Sequence, residues 1–227
     1  MYTVVIPPKF LPELRRLPND ILSFPVAVYE SMEAKYTRFL TDEPLVAHLV
    51  KADLTPALAR LNPTICAEVD EALQEELPPY KDWTGIYIYM ALVKVVAKVS
   101  GRVFVGPDIC HSPEYLDASI NYTMELMHAH GAIKSMQPWL RPFLAERLPQ
   151  VQALRKREKQ AQDFLAPVVE ARLEAQKNPD HKRPDDMLQW LLNRNEERKL
   201  TRARLARLLL AITFAAIHTT SLTVTNV

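Results

Sequence analysis

Glycine is scarce in this chain, and its scarcity limits the folds and ligand sites that the chain can form. Only Gly85, Gly101, Gly106 and Gly131 occur among 227 residues, whereas an average usage of about 7% would give several times more. The dinucleotide-binding pattern Gly-x-Gly-x-x-Gly and the phosphate-binding Walker loop need glycines at short, fixed spacings. Neither pattern can be built from these four positions, so nucleotide-dependent chemistry by those two routes is excluded.

Prolines, of which there are 18, punctuate the chain instead and favour helix starts and bends. Apolar residues recur every three or four positions from Pro44 to Leu77, which predicts two amphipathic helices. The stretch from Gly85 to Ser100 begins with strand propensity, but its length and spacing favour a helix over a strand. We expect Thr84 to cap this helix and Gly101 to end it. The expected fold class is therefore mainly α.

Three further segments are predicted towards the C-terminus. A long polar helix should run from Pro149 to Lys177. A short helix should open with Pro184 at its first position and continue through Leu191. A polar loop is expected from Asn193 to Lys199.

The last helix should be capped by Thr201 and is apolar on every side from Leu208 to Ile217. That run is shorter than the roughly 20 apolar residues of a membrane span. It therefore predicts a buried core helix. The first residues also lack the charged start and apolar run of a secretory signal. We expect no membrane anchor within this chain, which would leave it cytoplasmic or of unknown location.

Charge and cysteine usage exclude further classes. Lys plus Arg is 28 and Asp plus Glu is 27, for a formal net charge of +1, so no electrostatic surplus would recruit nucleic acid. Cys66 and Cys110 are the only cysteines, and they lie far apart without a Cys-x-x-Cys pair. The sequence therefore predicts no disulfide framework and no metal site.

The segment Ala215-Ala216-Ile217-His218-Thr219-Thr220 is the most specific in the chain. Small residues followed by paired hydroxyls inside an apolar helix are costly unless something uses them. The alternative is a purely structural role, in which each Thr hydroxyl donates a hydrogen bond to the carbonyl four residues earlier.

This segment resembles the Ala/Gly-Gly-x-Asp/Glu-Thr-Thr motif of the central helix of the cytochrome P450 family. The resemblance extends along nearly the whole chain and is similar to a fungal branch that includes ent-kaurene oxidases and indole-diterpene oxygenases. The other matching stretches are residues 5–7, 13–18, 35–37, 54–56, 82–116 and 185–192. The resemblance implies that residues 1–227 form a partial domain, from the B-helix region through the oxygen-activating central helix.

The resemblance also implies roles for the motif. Thr219 would help deliver protons during oxygen activation, with Thr220 as its neighbour. Ala215 and Ala216 would be the small residues that let the helix approach the haem. His218 stands where the family has an acid, and it could serve the proton route or be a hydrogen-bonded core histidine.

The same resemblance bears on two further parts of the haem site. Lys51 or His48 is the nearest match to the family's early basic residue, which reaches a haem propionate. Cys110 follows Gly106 at the spacing of the family's haem-binding cysteine loop, but Val103 and Asp108 occupy positions where that loop has other residue types. We therefore expect the thiolate ligand to be absent from this chain, and Cys110 to be a core thiol.

The intact family member would use haem, dioxygen and electrons from NADPH-cytochrome reductase to oxidise an apolar, terpenoid small molecule at the endoplasmic reticulum membrane. This chain alone is expected to be inactive. Two alternatives remain open. One is a non-catalytic helical remnant or interaction module. The other is a magnesium-dependent terpene cyclase, for which Asp185-Asp186 and Asn19-Asp20-x-x-Ser23 are incomplete metal motifs.

Overall fold

The computed structural model describes residues 4–77, 79, 81–178, 180–198 and 200–227, and the side chains of all of these except 196–198. The described residues form helices joined by turns and loops and contain no strand, which confirms the mainly α prediction. In chain order the α-helices are α1 (Leu11–Leu14), α2 (Phe24–Ser31), α3 (Ala34–Thr37), α4 (Pro44–Leu49), α5 (Thr55–Glu76), α6 (Ile88–Phe104), α7 (Pro113–Ser135), α8 (Arg141–Leu144), α9 (Pro149–Ala175), α10 (Met187–Arg198) and α11 (Arg202–Thr225).

The two helices predicted between Pro44 and Leu77 are present as α4 and α5. The sequence did not predict how they are joined, which is through one widened, π-helical segment, Val50–Leu54. Thr55 begins α5 and donates its hydroxyl to the Val50 carbonyl at 2.8 Å. The break between the helices is therefore a local widening of the helical ladder rather than a loop.

The ambiguous stretch after Gly85 is a helix, as favoured, but both predicted ends are wrong. Thr84 lies in the preceding loop, and its hydroxyl donates to the Asp82 carbonyl at 3.1 Å. The chain continues as helix past Gly101 to Phe104. A Cβ atom at Gly101 would lie 2.6 Å from a ring carbon of Tyr115. Glycine is needed there because α6 passes close to α7, and not because the helix ends.

The polar helix α9 was predicted within two residues of its observed end. The start of α10 was predicted too early. Asp186 accepts a hydrogen bond from the Gln189 backbone N–H at 2.8 Å, so it precedes the helix as a cap and Pro184 lies outside.

The expected loop from Asn193 is wrong for residues 193–198, which continue α10, and Lys199 lies outside the described residues. The Asn193 side chain accepts from the Gln189 amide, one turn earlier, at 2.9 Å. Asn193 thus lies inside a helix instead of marking its end.

Helix α11 runs through the middle of the molecule and contacts α6, α7 and α9. Thr201 caps it as predicted, accepting from the Arg204 backbone N–H at 3.3 Å. Its first half is enclosed, with Leu208, Leu209 and Ile212 buried. Ala215 is exposed, so the prediction of burial on all sides holds only for the earlier turns.

Among the described helices, α11 alone has the length and apolar composition to cross a membrane. Only 39% of its most apolar window is buried. Its contacts with three other helices are those of a core helix, as the sequence predicted for the apolar run.

Ion pairs define how α5 and α6 are oriented. Glu76 of α5 pairs with Lys94 and Lys98 of α6, while Glu68, two turns earlier in α5, lies near Arg102, later in α6. The two helices are therefore antiparallel, and the end of α6 lies beside the middle of α5.

Candidate functional site at the end of α11

The last three turns of α11 present two different faces. Ile217 and Ser221 are buried against the other helices, whereas Ala215, Thr219 and Leu222 are exposed. Positions i, i+4 and i+7 lie on one side of a helix. The motif predicted from sequence therefore has an inner and an outer side.

On the inner side, His218 links three helices. Its Nδ1 lies 2.9 Å from the Tyr89 hydroxyl of α6, and its Nε2 lies 3.0 Å from the Ile120 carbonyl of α7. A carbonyl only accepts, so Nε2 carries the proton and donates. Nδ1 shares the second hydrogen bond with the Tyr89 hydroxyl. Both ring nitrogens are thus engaged away from the outer face.

Tyr89 and Ile120 were not identified from the sequence. They lie 129 and 98 residues before His218, so no local spacing could have paired them. The tyrosine-rich start of α6 was noted only as strand propensity. A phenol that begins an otherwise apolar helix was the one signal available.

On the outer side, the Thr219 hydroxyl donates to the Ala215 carbonyl at 2.6 Å. This hydrogen bond, a back-bond to the preceding turn, is the one that a purely structural role of Thr219 predicts. Ala216 is partly buried and Thr220 is exposed, and no hydrogen bond of the Thr220 side chain occurs among the described residues. Ala215 and Thr219 together leave a shallow surface, because neither carries a long side chain.

Hydroxyls recur along α11 with the same bond. Thr213, Ser221, Thr223 and Thr225 each donate to the carbonyl four residues earlier. Thr219 does not differ from these residues in its hydrogen bond. It differs in its position between exposed Ala215 and exposed Leu222.

The two basic candidates lie on a different part of the fold. His48 is in α4 and Lys51 in the π-helical segment that follows, and both are exposed. Neighbouring Leu45 and Leu49 pack into the same core cluster as the first half of α11. Among the described side chains, no hydrogen bond or ion pair joins His48 or Lys51 to the end of α11.

Neither cysteine lies on this outer face. Cys66 is exposed on α5 and Cys110 is fully buried after α6. The Cys110 thiol donates to the Pro107 carbonyl at 3.5 Å. Burial raises the pKa of this thiol to about 11, and the Glu68 carboxylate contributes to the rise.

The acidic pair before α10 is occupied by basic partners. Asp185 accepts from Arg60 through both carboxylate oxygens at 2.7 Å and from the Trp190 indole at 3.1 Å. Asp186 accepts from Arg172 at 2.6 and 2.8 Å. Each carboxylate is therefore paired with its own guanidinium.

Comparison with known families identifies the fold. A sequence model described as cytochrome P450 matches residues 46–227, most of the chain. The chain belongs to the cytochrome P450 family. The helices α4 to α11 are thus the helical portion of a P450 domain, as the sequence predicted, and the family's enzymes are oxidoreductases that carry haem.

Several fungal P450 monooxygenases are similar over nearly all of this chain. ATR3 of Stachybotrys chlorohalonatus is 36% identical over 225 residues, which cover 98% of this chain and 47% of ATR3. TES1 of Alternaria alternata is 39% identical over 198 residues, covering 87% of this chain and 36% of TES1. The monooxygenase paxP of Penicillium paxilli is 33% identical over 233 residues, covering 99% of this chain and 45% of paxP.

This P450 chain therefore spans about half the length, or less, of the relatives it matches. No solved structure matches it.

Proposed function

We propose that this chain is the central helical part of a haem-thiolate monooxygenase that oxidises an apolar, terpenoid small molecule with dioxygen. Electrons would come from NADPH-cytochrome reductase, and the whole enzyme would work at the endoplasmic reticulum membrane. The observation that carries the proposal is the outer face of α11, where small Ala215 and hydroxyl-bearing Thr219 lie one turn apart and exposed.

The outer face suits a flat, apolar group such as haem. Ala215 adds no bulk, and Leu222 offers exposed apolar surface two turns further on. Exposed apolar area of this kind is typical of a ligand or interaction surface. Haem would supply the iron at which oxygen is activated, while this helix would supply the surface against the ring and the hydroxyl beside it.

The thiolate ligand is inferred to lie outside these 227 residues. Cys110 is enclosed among Pro107, Tyr115 and Glu68, and Cys66 lies on another helix. Without that ligand, the chain by itself would be inactive, since the thiolate favours O–O cleavage. A non-catalytic helical remnant is the alternative that haem binding by the whole protein would exclude.

Thr219 is proposed to relay a proton on the outer face. A helical Thr has two accessible side-chain rotamers, because its hydroxyl can either bond the carbonyl four residues earlier or turn away from it. The bond from Thr219 to the Ala215 carbonyl would hold the hydroxyl until substrate and oxygen bind. Rotation would then free it to exchange a proton with a group or water at the haem face. Thr220 would support the same face.

His218 is proposed to position α11 and not to relay protons. Its two nitrogens are bonded to Tyr89 and to the Ile120 carbonyl. Those bonds connect the motif to α6 and α7 and would fix the position of Thr219 on the outer face. Lys51, or His48, is proposed as the cation for a propionate because both are exposed and close along the chain.

The experiment compares Thr219→Ala, Thr219→Ser and wild type, in this chain completed with the missing segments of a close relative. Product, peroxide and NADPH consumption are measured together. Thr219→Ala should bind haem and substrate normally, yet lose product per electron by roughly 10²-fold, the lower end of the range for a positioned proton donor. Peroxide should rise by the missing amount. Thr219→Ser retains the hydroxyl and should restore most of the coupling.

Thr223→Ala is the matched control, because Thr223 is exposed and makes the same back-bond, to the Thr219 carbonyl at 2.8 Å. It should leave the coupling unchanged. His218→Ala should lower stability and coupling together, and Tyr89→Phe should reproduce part of that loss. Unchanged product per electron in Thr219→Ala would remove the relay role. Loss in His218→Ala with normal stability would assign the relay to the histidine instead.

A further inference from the structure

A second cluster of reactive side chains lies between α5 and the turn after α6. Glu68, Cys110 and His111 each place one donor atom within 4.8 Å of the others. The Glu68 side chain is 5% exposed and Cys110 is fully buried, while His111 is about one third exposed. The three residues thus combine carboxylate, thiol and imidazole at the edge of the core.

The orientation of His111 is that of a metal ligand with an outer carboxylate. Its Nε2 lies 2.5 Å from Glu68 Oε1, and its Nδ1 faces Glu75 Oε2 at 3.6 Å. A metal-bound histidine usually donates its other ring N–H to a carboxylate, which fixes the ring. Glu75 is itself fixed, since it accepts from Lys98 at 2.5 Å.

The surrounding charges are compatible with a cation. Arg102 is the nearest opposing charge, with Nε 4.0 Å from Glu68 Oε2. It is partly exposed and can turn to solvent. Glu68 and Glu75 carry two negative charges towards the cluster, and Glu71 also acts on the Cys110 thiol. With Lys98 counted as the partner of Glu75, the three carboxylates still outnumber the two cations around the donors.

We propose that Glu68, Cys110 and His111 bind a zinc ion, with water in the fourth position. Thiolate together with imidazole favours zinc over magnesium or calcium, and three protein ligands plus water is an established zinc arrangement. Binding would release the Cys110 thiol proton to solvent. The ring proton of His111 would then lie on Nδ1, which faces Glu75. The ion would link α5 to the turn that leads into α7.

The site needs little rearrangement. With metal–ligand bonds of about 2.0–2.1 Å, the nitrogen and oxygen of a tetrahedral site lie roughly 3.4 Å apart. The His111 and Glu68 atoms would therefore separate by about 1 Å from their present 2.5 Å. His111 can make that movement because its ring is partly exposed.

This zinc site is distant from the motif of α11. Tyr89, the partner of His218, begins α6, and Arg102, beside Glu68, is thirteen residues later in the same helix. At 1.5 Å per residue the two ends are about 20 Å apart. Zinc would therefore act on the helical scaffold and not at the haem surface.

The test uses the purified 227-residue chain, stripped with a chelator and titrated with Co²⁺ and then Zn²⁺. One Co²⁺ per chain should bind and give a thiolate-to-cobalt absorption band, which one equivalent of Zn²⁺ should abolish. Cys110→Ser should remove the band. Cys66→Ser is the matched control, because it deletes the other, exposed thiol, and it should keep the band.

Two further variants test the site without changing Cys110, which is buried and whose substitution could disturb the fold. His111→Asn changes a partly exposed residue and should weaken Zn²⁺ binding at least tenfold while far-ultraviolet circular dichroism stays unchanged. Glu75→Gln should weaken it roughly 10- to 100-fold, as the loss of an outer partner does. Asp70→Asn, on the opposite, exposed side of α5, should have no effect. Failure of the wild type to bind one Co²⁺, a band that survives Cys110→Ser, or an unchanged Zn²⁺ affinity in His111→Asn would overturn the proposal.

Discussion

Alanine substitutions at the two glycines that lie inside helices should have opposite effects on stability. A Cβ atom at Gly101 would lie 2.6 Å from Tyr115 Cε1 and 2.9 Å from Cys110 Cβ, well inside the 3.5–4.0 Å of a normal carbon contact. Tyr115 is buried and cannot swing away. Overpacking of this kind costs about 1–3 kcal/mol, whereas the helix propensity gained by replacing glycine with alanine is about 0.8–1 kcal/mol. The clash should outweigh the gain, for a net loss of up to about 2 kcal/mol.

Gly131 is the matched control. It is an exposed glycine inside α7, and a Cβ atom there would meet nothing within 4 Å. Only the propensity gain applies, so Gly131→Ala should stabilise the chain by roughly 0.5–1 kcal/mol.

The assay is urea unfolding followed by circular dichroism, with chelator present so that no metal at Cys110 contributes. Gly101→Ala should lower the midpoint and Gly131→Ala should raise it, both without changing the slope. If Gly101→Ala stabilised the chain as much as Gly131→Ala, the close approach of α6 to Tyr115 would be refuted.

Two other predictions concern buried charges. Burial raises the pKa of the Glu76 carboxyl, but hydrogen bonds and charge from Lys98 and Lys94 outweigh burial, so this pKa lies below its ordinary value. The ionised Glu76 carboxylate therefore contributes its full stabilisation of the folded chain above the ordinary glutamate pKa of about 4.3. This contribution is lost as the pH falls below that value and through the lowered pKa of the folded state. Urea midpoints from pH 7 to 3 should decline less in Glu76→Gln than in wild type, and parallel declines would contradict this. Asp186→Asn retains a capping oxygen but breaks the buried ion pair with Arg172, so it should cost about 3–5 kcal/mol. Asp185→Asn, whose partner is exposed, should cost far less, and equal costs would count against the ion pair.

The sequence predicted the helices wherever local chemistry determined them. Thr201 begins α11 because its side chain caps the first turn, and that signal is contained within four residues. Gly101 was misread because its reason is not local. Glycine after an apolar run often ends a helix, but here it accommodates Tyr115 from the next helix. Periodicity cannot distinguish these two uses of glycine.

The metal-type cluster was missed for a related reason. Metal sites are recognised in a sequence by closely spaced cysteines, and the two cysteines of this chain are far apart. Cys110 and His111 are adjacent, and that pair was the available signal. Glu68 comes from α5, 43 residues earlier than His111. Only the antiparallel packing of α5 against α6 brings the carboxylate to the thiol and the imidazole.

The motif of α11 was found from its residue order, yet the order alone could not assign its faces. Successive helical residues point about 100° apart, so His218 and Thr219 had to face different surroundings. A helix that is apolar on every side has no polar face in its sequence, so the sequence could not indicate which of the two residues points inward. The structure places the histidine inward, with Nε2 donating to the Ile120 carbonyl and Nδ1 hydrogen-bonded to the Tyr89 phenol. Because both ring nitrogens are engaged inward, His218 has no nitrogen facing the outer side of α11. If Thr219 relays protons as proposed, its proton would come from a group other than His218, and His218 would hold α11 in place through Tyr89 and Ile120.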